Sequence, residues 1–149
     1  WFGLRWNLPL HETLLYIASM ICVGFVEEVI FRGLLFNAMR KDGLRSAVIV
    51  SSVTFGIGHI VNLFNGSGAQ LLSNLCQVGY AAAVGFLFVI LFLKTGSLIP
   101  CIVTHSAVNS LSVFANEGSI TVAQEIFSAI AIAVIALAYA VYLLKKVPE

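Results

Sequence analysis

Charged side chains are scarce in this sequence. They make up 10% of its 149 residues, whereas soluble domains are about one quarter charged. Hydrophobic residues account for 60% of the chain, more than a soluble core of this size can use. A lipid bilayer is therefore the expected solvent. The net charge of +1 leaves no basic surface for nucleic acid, so we expect no nucleic-acid partner.

Several catalytic and metal-binding patterns are also missing. Asp42 is the only aspartate, which excludes an aspartyl protease pair. His11-Glu12 is followed by Leu15 where an HExxH zinc motif needs its second histidine. The three cysteines match neither a CxxC pattern nor a disulfide framework, and small buried hydrophobes are their expected role: Cys22, Cys76 and Cys101.

Long apolar runs take up most of the chain. They predict five helical segments of roughly 20 residues, the length that crosses a membrane. The segments are 13–40, 46–64, 71–93, 97–115 and 122–144. Gly- and Asn-containing turns separate them, and the runs do not alternate with period two as strands would. The predicted fold class is an all-α polytopic membrane helix bundle, with about five transmembrane helices and an intramembrane polar cavity.

Lysine and arginine predict the orientation of this single membrane domain, 1–149. Basic residues follow the first, third and fifth segments, whereas the two other loops have none. By the positive-inside rule the C-terminus is cytoplasmic, and we expect a multi-pass protein of a prokaryotic cytoplasmic membrane. The chain begins at Trp1 rather than Met, which suggests upstream sequence. The stretch 1–9, with Trp1 and Trp6, is either interfacial or the end of an upstream helix.

A few ionisable or strongly polar residues interrupt the apolar segments. A charge at mid-bilayer costs at least about 2.5–3.5 kcal/mol, so such residues usually face protein or water and are often functional. Glu28 and Arg32 are four residues apart and can pair on one helix face, which leaves Glu27 about 100° away. The whole set is Glu27, Glu28, Arg32, His59, His105 and Asn109.

Helix geometry places these groups at similar depth. At a rise of 1.5 Å per residue, Glu27 and His59 each lie about 20 Å from the basic end of their segments. His105 and Asn109 lie about 12 and 18 Å from the same side, and their i,i+4 spacing allows both to face one cavity. Phe55, one turn before His59, can pack against that ring. Three segments therefore supply one candidate intramembrane site.

Three ordered motifs carry a family resemblance. EEVIFR at 27–32 is an EExxxR motif, FGIGH at 55–59 is FxxxH, and HSAVN at 105–109 is HxxxN. Together they resemble the CPBP family of intramembrane proteases, over about residues 20–115. This family includes the type II CAAX prenyl endopeptidases, or Ras-converting enzymes, and bacterial Abi proteins linked to bacteriocin self-immunity and processing. The fifth segment carries no motif of the family.

The resemblance implies a role for each matched residue. Glu27 is expected to be the general base that activates a water, and His59 its partner in holding that water. His105 and Asn109 are expected to form the oxyanion hole, with Glu28, Arg32 and Phe55 in support. An amide and an imidazole N–H can stabilise the oxyanion of peptide hydrolysis. The implied substrate is a membrane-associated peptide or protein, with a prenylated protein and a bacteriocin precursor as alternatives.

The motifs fit two mechanisms, one with a bound zinc ion and one without a cofactor. The family has been described as metalloproteases, and Glu27, His59 and His105 could supply three ligands to zinc. We favour no metal and no other cofactor, because HExxH is absent and an asparagine suits an oxyanion better than a metal.

Other functions remain as alternatives. Cys101 and His105 are four residues apart and could form a cysteine protease pair. A serine mechanism could use the loop at 66–68, and a proton-coupled transporter could use Glu27 with His59. A non-enzymatic membrane scaffold or bacteriocin-immunity protein could bind a partner through the same polar cavity.

Overall fold

A computed structural model describes residues 3–65, 70–116 and 120–146. Each of the five predicted segments is helical: α1 is Leu10–Met39, α2 is Leu44–Leu63, α3 is Leu71–Thr95, α4 is Ile99–Phe114 and α5 is Val122–Lys146. Within the described ranges there is no strand, only an isolated bridge between Leu4 and Ala115. The all-α polytopic bundle predicted from the sequence is confirmed.

Four of these helices are long and apolar enough to cross a membrane, and α4 is shorter. It consists of a 13-residue α-helix and a 3₁₀ turn, Ser112–Phe114. Pro100 lies in its first turn, where a missing N–H costs nothing. α3 ends at Thr95, and Gly96 after it, with a φ of +66°, provides a left-handed cap.

The helices pack in a connected series. α1 packs along α4 and also against α2. α2 packs along α3, and α5 packs on α3 as well. Two glycines allow the closest approaches. A Cβ on Gly24 of α1 would lie 2.5 Å from Ser106 Oγ in α4, and one on Gly56 of α2 would lie 2.8 Å from the Ala82 nitrogen in α3.

Two apolar clusters stabilise the bundle. Phe36, Ala47 and Val89 join α1, α2 and α3 and are fully buried. Ile90 of α3 packs with Ala140 and Leu143 of α5. Many large apolar side chains are exposed on the outer helix faces, which fits a protein whose surroundings are lipid.

The N-terminal segment is not helical. Residues 3–8 lie along the end of α4, where Arg5 N–H donates to the Phe114 carbonyl at 2.9 Å and the Asn7 side chain donates to two further carbonyls. The Trp6 and Phe114 rings are 5.4 Å apart. The alternative that this stretch ends an upstream helix is therefore wrong for the described residues; Trp1 lies outside them, as does the 66–68 loop.

Candidate active site

The first motif lies where α1 changes its pitch. The α-helical part is Leu10–Glu28, and the next eight residues, Val29–Phe36, form a π-helix. A π-helix shifts backbone hydrogen bonds from i→i−4 to i→i−5, and such turns often occur at functional sites. Ser51 of α2 donates its hydroxyl to the Phe31 carbonyl at 2.9 Å. The buried hydroxyl thus ties α2 to the π segment.

Glu28 and Arg32 form the predicted i,i+4 pair. Arg32 Nη1 donates to Glu28 Oε1 at 2.9 Å, and both side chains are 0% exposed. Arg32 Nη2 also donates to the Gly85 carbonyl at 3.0 Å. Its guanidinium carbon lies 4.3 Å from the centroid of Phe55, within the range of a cation–π contact. The pair is therefore anchored to both α2 and α3.

His105 lies between the two glutamates. Its Nδ1 is 2.8 Å from Glu28 Oε1, and its Nε2 is 3.6 Å from Glu27 Oε2. A carboxylate accepts hydrogen bonds, so Nδ1 carries the proton in this contact. Nε2 is then an acceptor in a neutral ring and a donor in a doubly protonated ring. Glu28 therefore does more than pair with Arg32, because the same oxygen also orients His105.

Glu27 faces away from the ion pair, as its position on the helix predicts. Its side chain is 32% exposed, whereas that of Glu28 is fully buried. Among the described residues its one polar contact is with His105, and Oε2 is buried without a hydrogen bond. The more accessible carboxylate thus lies directly beside the ring that Glu28 holds.

His59 has a different kind of partner. It is the first residue of a 3₁₀ stretch, His59–Leu63, that ends α2. Its Nδ1 is 3.0 Å from the Phe55 carbonyl. A carbonyl can only accept, so Nδ1 bears the proton and Nε2 of the neutral ring is an acceptor. The Phe55 ring contacts both histidines, with centroid distances of 5.2 Å to His59 and 5.5 Å to His105.

Asn109 lies one helical turn beyond His105 on α4 and is half-buried. The described contacts of Asn109 involve its backbone carbonyl, which accepts from the Ser112 hydroxyl at 2.6 Å. Contacts in the described chain thus connect Glu27, Glu28, Arg32, Phe55, His59 and His105. Asn109 is grouped with them because it lies one helical turn from His105 on α4.

One family model matches this chain. It is the model for "Type II CAAX prenyl endopeptidase Rce1-like", and it covers residues 9–111. The chain belongs to this family. It is therefore a CAAX-type protease of the membrane, which acts on a peptide or protein substrate there. Neither the curated proteins nor the solved structures that were compared include a match.

The Rce1-like match covers α1, α2 and α3 together with most of α4. All six residues of the contact set and Asn109 lie within it. It ends before α5, which contributes none of the candidate residues. This helix packs on α3 through small side chains such as Ala136 and Ala140.

The residues suggested for zinc do not form a three-ligand group. In the described part of this Rce1-like protein, no three His, Cys, Asp or Glu side chains are close enough together to hold a metal ion. His105 Nδ1 is already bonded to Glu28, and Phe55 packs against both histidine rings. The side chains as placed do not fit the zinc alternative, and metal independence stays a prediction.

The cysteine alternative also lacks the contact it needs. Cys101 is buried, and its thiol donates to the Phe88 carbonyl at 3.4 Å. Both nitrogens of His105 face glutamates instead. The alternative Cys101–His105 pair is therefore not formed, because i,i+4 spacing only permits a contact and His105 Nδ1 bonds to the buried carboxylate of Glu28 instead. Cys22 is exposed and Cys76 is half-buried, so the expectation of burial holds for Cys101 and is wrong for Cys22.

Two further residues touch this site, and neither belongs to the three motifs of the sequence. Gly85 of α3 accepts from Arg32, and a Cβ there would lie 3.2 Å from Arg32 Nη2 and 3.0 Å from the Phe55 ring. Asn74, near the start of α3, donates to the His59 carbonyl at 2.8 Å. The one sequence feature that pointed to Asn74 is that it is a single asparagine in an uncharged apolar segment.

A cleft of about 330 Å³ lies elsewhere, beside the N-terminal segment. Its lining includes Arg5, Asn7, Tyr16 and Ser112, and it contains none of the candidate residues. The glutamate–histidine cluster itself is closely packed, with Glu27 as its accessible carboxylate.

Proposed function

We propose that this protein hydrolyses a peptide bond in or near the bilayer with a water activated by Glu27. The observation that carries the proposal is the place of His105, whose two nitrogens lie 2.8 Å from Glu28 and 3.6 Å from Glu27. A base and a group able to stabilise an oxyanion are thus adjacent. Only one of the two carboxylates is accessible, which supports Glu27 as the base and Glu28 in the supporting role.

The chemistry follows from these positions. Glu27 takes a proton from water, and the resulting hydroxide attacks the substrate carbonyl carbon. His59 helps to hold the water, because its Nε2 is an acceptor. His105 and Asn109 donate to the oxyanion of the tetrahedral intermediate. The C–N bond then breaks, and the proton held by Glu27 passes to the leaving amine.

Charge balance supports the donor role of His105. Glu27 and Glu28 carry two negative charges and Arg32 one positive charge, which leaves one negative charge in a region where charge is expensive. His105 lies beside both carboxylates, and in the proposed mechanism it donates from Nε2 to the oxyanion. The hydrogen bond from Nδ1 to the Glu28 carboxylate holds the ring in place for this task.

A substitution at Glu27 tests this function. The purified protein in liposomes is given a quenched fluorescent peptide that carries a farnesylated CAAX end, and the same peptide without the lipid. Glu27→Gln keeps the size of the side chain but removes the base, so we expect kcat to fall by about 10²–10⁴-fold. Glu12→Gln, an exposed change on the same helix, is the matched control.

The two peptides and the two variants separate the alternatives. Cleavage of the farnesylated peptide alone would assign a prenylated substrate, and equal cleavage of both would favour an unmodified peptide. A scaffold or immunity protein would tolerate Glu27→Gln in every respect. A folded Glu27→Gln variant with the kcat of the Glu12→Gln control would overturn the proposed mechanism.

A further inference from the structure

Asn74 is the most deeply buried carboxamide near the site, with 1% of its surface exposed. Its Nδ2 donates to the His59 carbonyl at 2.8 Å, across from α3 to α2. Its Oδ1 is buried and has no hydrogen-bond partner among the described residues. A buried acceptor without a partner is costly, so packing alone does not favour asparagine at this position.

The bond reaches α2 where its geometry changes. The α-helical part ends at Gly58, and His59 begins the 3₁₀ stretch. The His59 ring is fixed on one side by its Nδ1 contact with the Phe55 carbonyl. Asn74 fixes the backbone of the same residue from the other side. Ring and backbone are therefore both held, and the direction of Nε2 follows from the two bonds together.

A neighbouring carboxamide contact joins the same two helices through side chains other than that of His59. Asn62 Nδ2 donates to Gln77 Oε1 at 3.1 Å, and Gln77 lies three residues beyond Asn74 on α3. The two contacts therefore make the same kind of connection at nearly the same place. Gln77 provides a matched control for whatever Asn74 contributes to helix packing alone.

We propose that Asn74 is a positioning residue that holds the His59 backbone, and with it the direction of the ring and its Nδ1 contact with the Phe55 carbonyl. The inference rests on the proposed function, in which His59 Nε2 accepts a hydrogen bond from the reacting water. The asparagine supplies an N–H to the His59 carbonyl, which an ionised aspartate of the same shape cannot do. Its effect on turnover passes through His59, so it is not itself a catalytic residue.

Nitrogen-15 NMR of histidine-labelled protein tests the inference without substrate. The chain holds three histidines, and His59→Gln identifies the His59 signals by their loss. The wild type should show His59 protonated at Nδ1 only. In Asn74→Leu and in Asn74→Asp, the His59 signals should shift towards a mixture of tautomers, with His11 and His105 unchanged. Gln77→Leu should leave all three rings as in the wild type.

Turnover of the farnesylated peptide gives the second measurement. Outer-shell partners that orient a metal-bound histidine typically contribute about 10–100-fold to metal affinity or activity, and we take the same range for a histidine that holds a water. We expect that loss in kcat for both Asn74 variants, with KM within about twofold, and less than about threefold for Gln77→Leu. Unchanged His59 signals in both Asn74 variants, or an equal kcat loss in Gln77→Leu, would overturn the inference.

These measurements distinguish a failure of the inference about Asn74 from a failure of the proposed function. If His59→Gln retains the wild-type kcat, His59 does not hold the water and that part of the mechanism is wrong. The NMR signals still decide whether Asn74 positions the ring, because they require no turnover.

Discussion

The two histidines of the candidate site, half-buried His59 and buried His105, share one aromatic neighbour but have different polar partners. Each packs against the Phe55 ring and each has its Nδ1 engaged, His59 by the Phe55 carbonyl and His105 by the Glu28 carboxylate. A neutral carbonyl leaves the first ring neutral, with an acceptor at Nε2. In the proposed mechanism the other ring, His105, instead donates from Nε2 to the oxyanion. The partner of Nδ1 is the feature that differs between two rings to which the proposal gives opposite tasks.

Removing the donor ring should have the largest effect. His105→Ala deletes the proposed oxyanion donor, and the loss of one such donor typically lowers kcat by about 10²–10³-fold. Peptide-cleavage kinetics on the purified protein measure it. His11→Ala is the control, because His11 has a 76% exposed side chain and lies at the start of α1. A folded His105→Ala variant with more than about one-tenth of the wild-type kcat would contradict the donor role.

Making the two histidines alike should have an intermediate effect. Glu28→Gln replaces the carboxylate beside His105 with a neutral amide, so the ring acquires a partner like that of His59. We expect kcat to fall by about 10–100-fold, the range for residues that orient a metal-bound histidine, and nitrogen-15 NMR should show changed His105 signals. Glu12→Gln is again the control. Unchanged His105 signals in Glu28→Gln would show that the carboxylate does not set the protonation of the ring.

Metal removal should have the smallest effect. If both histidines perform these tasks without zinc, incubation with a strong chelator followed by desalting should leave kcat within about twofold of the untreated protein. Zinc added back should not raise it. Loss of activity on chelation, with recovery on adding zinc, would mean that the two rings serve as metal ligands and that the comparison between them is wrong.

Local sequence predicted the parts of the site that depend on one helix. The Glu28–Arg32 pair follows from i,i+4 spacing, and so does the contact of Phe55 with His59. The five helices follow from the length of the apolar runs. In each case the two residues concerned are close in sequence, so the geometry of a single helix decides whether they meet.

The remaining contacts depend on how the helices pack. Glu28 and His105 are 77 residues apart, and their contact depends on close approaches such as Gly24 against Ser106. The π segment has no simple signature in the sequence. Asn74 could not be assigned to His59 before the register of α2 on α3 was known. The side of the membrane that holds the C-terminus remains a prediction from the Lys/Arg bias.

The Glu28–Arg32 pair also has a consequence for biosynthesis. α1 is made before Gly85 and His105 exist, although both later bond to its buried charges. While the ribosome completes the chain, the one available partner of Arg32 in α1 at bonding distance is Glu28, four residues away. This early ion pair lowers the free-energy cost of inserting the charged helix α1 into the membrane through the translocon. α1 can then remain inserted in the bilayer until the later helices are made and pack against it.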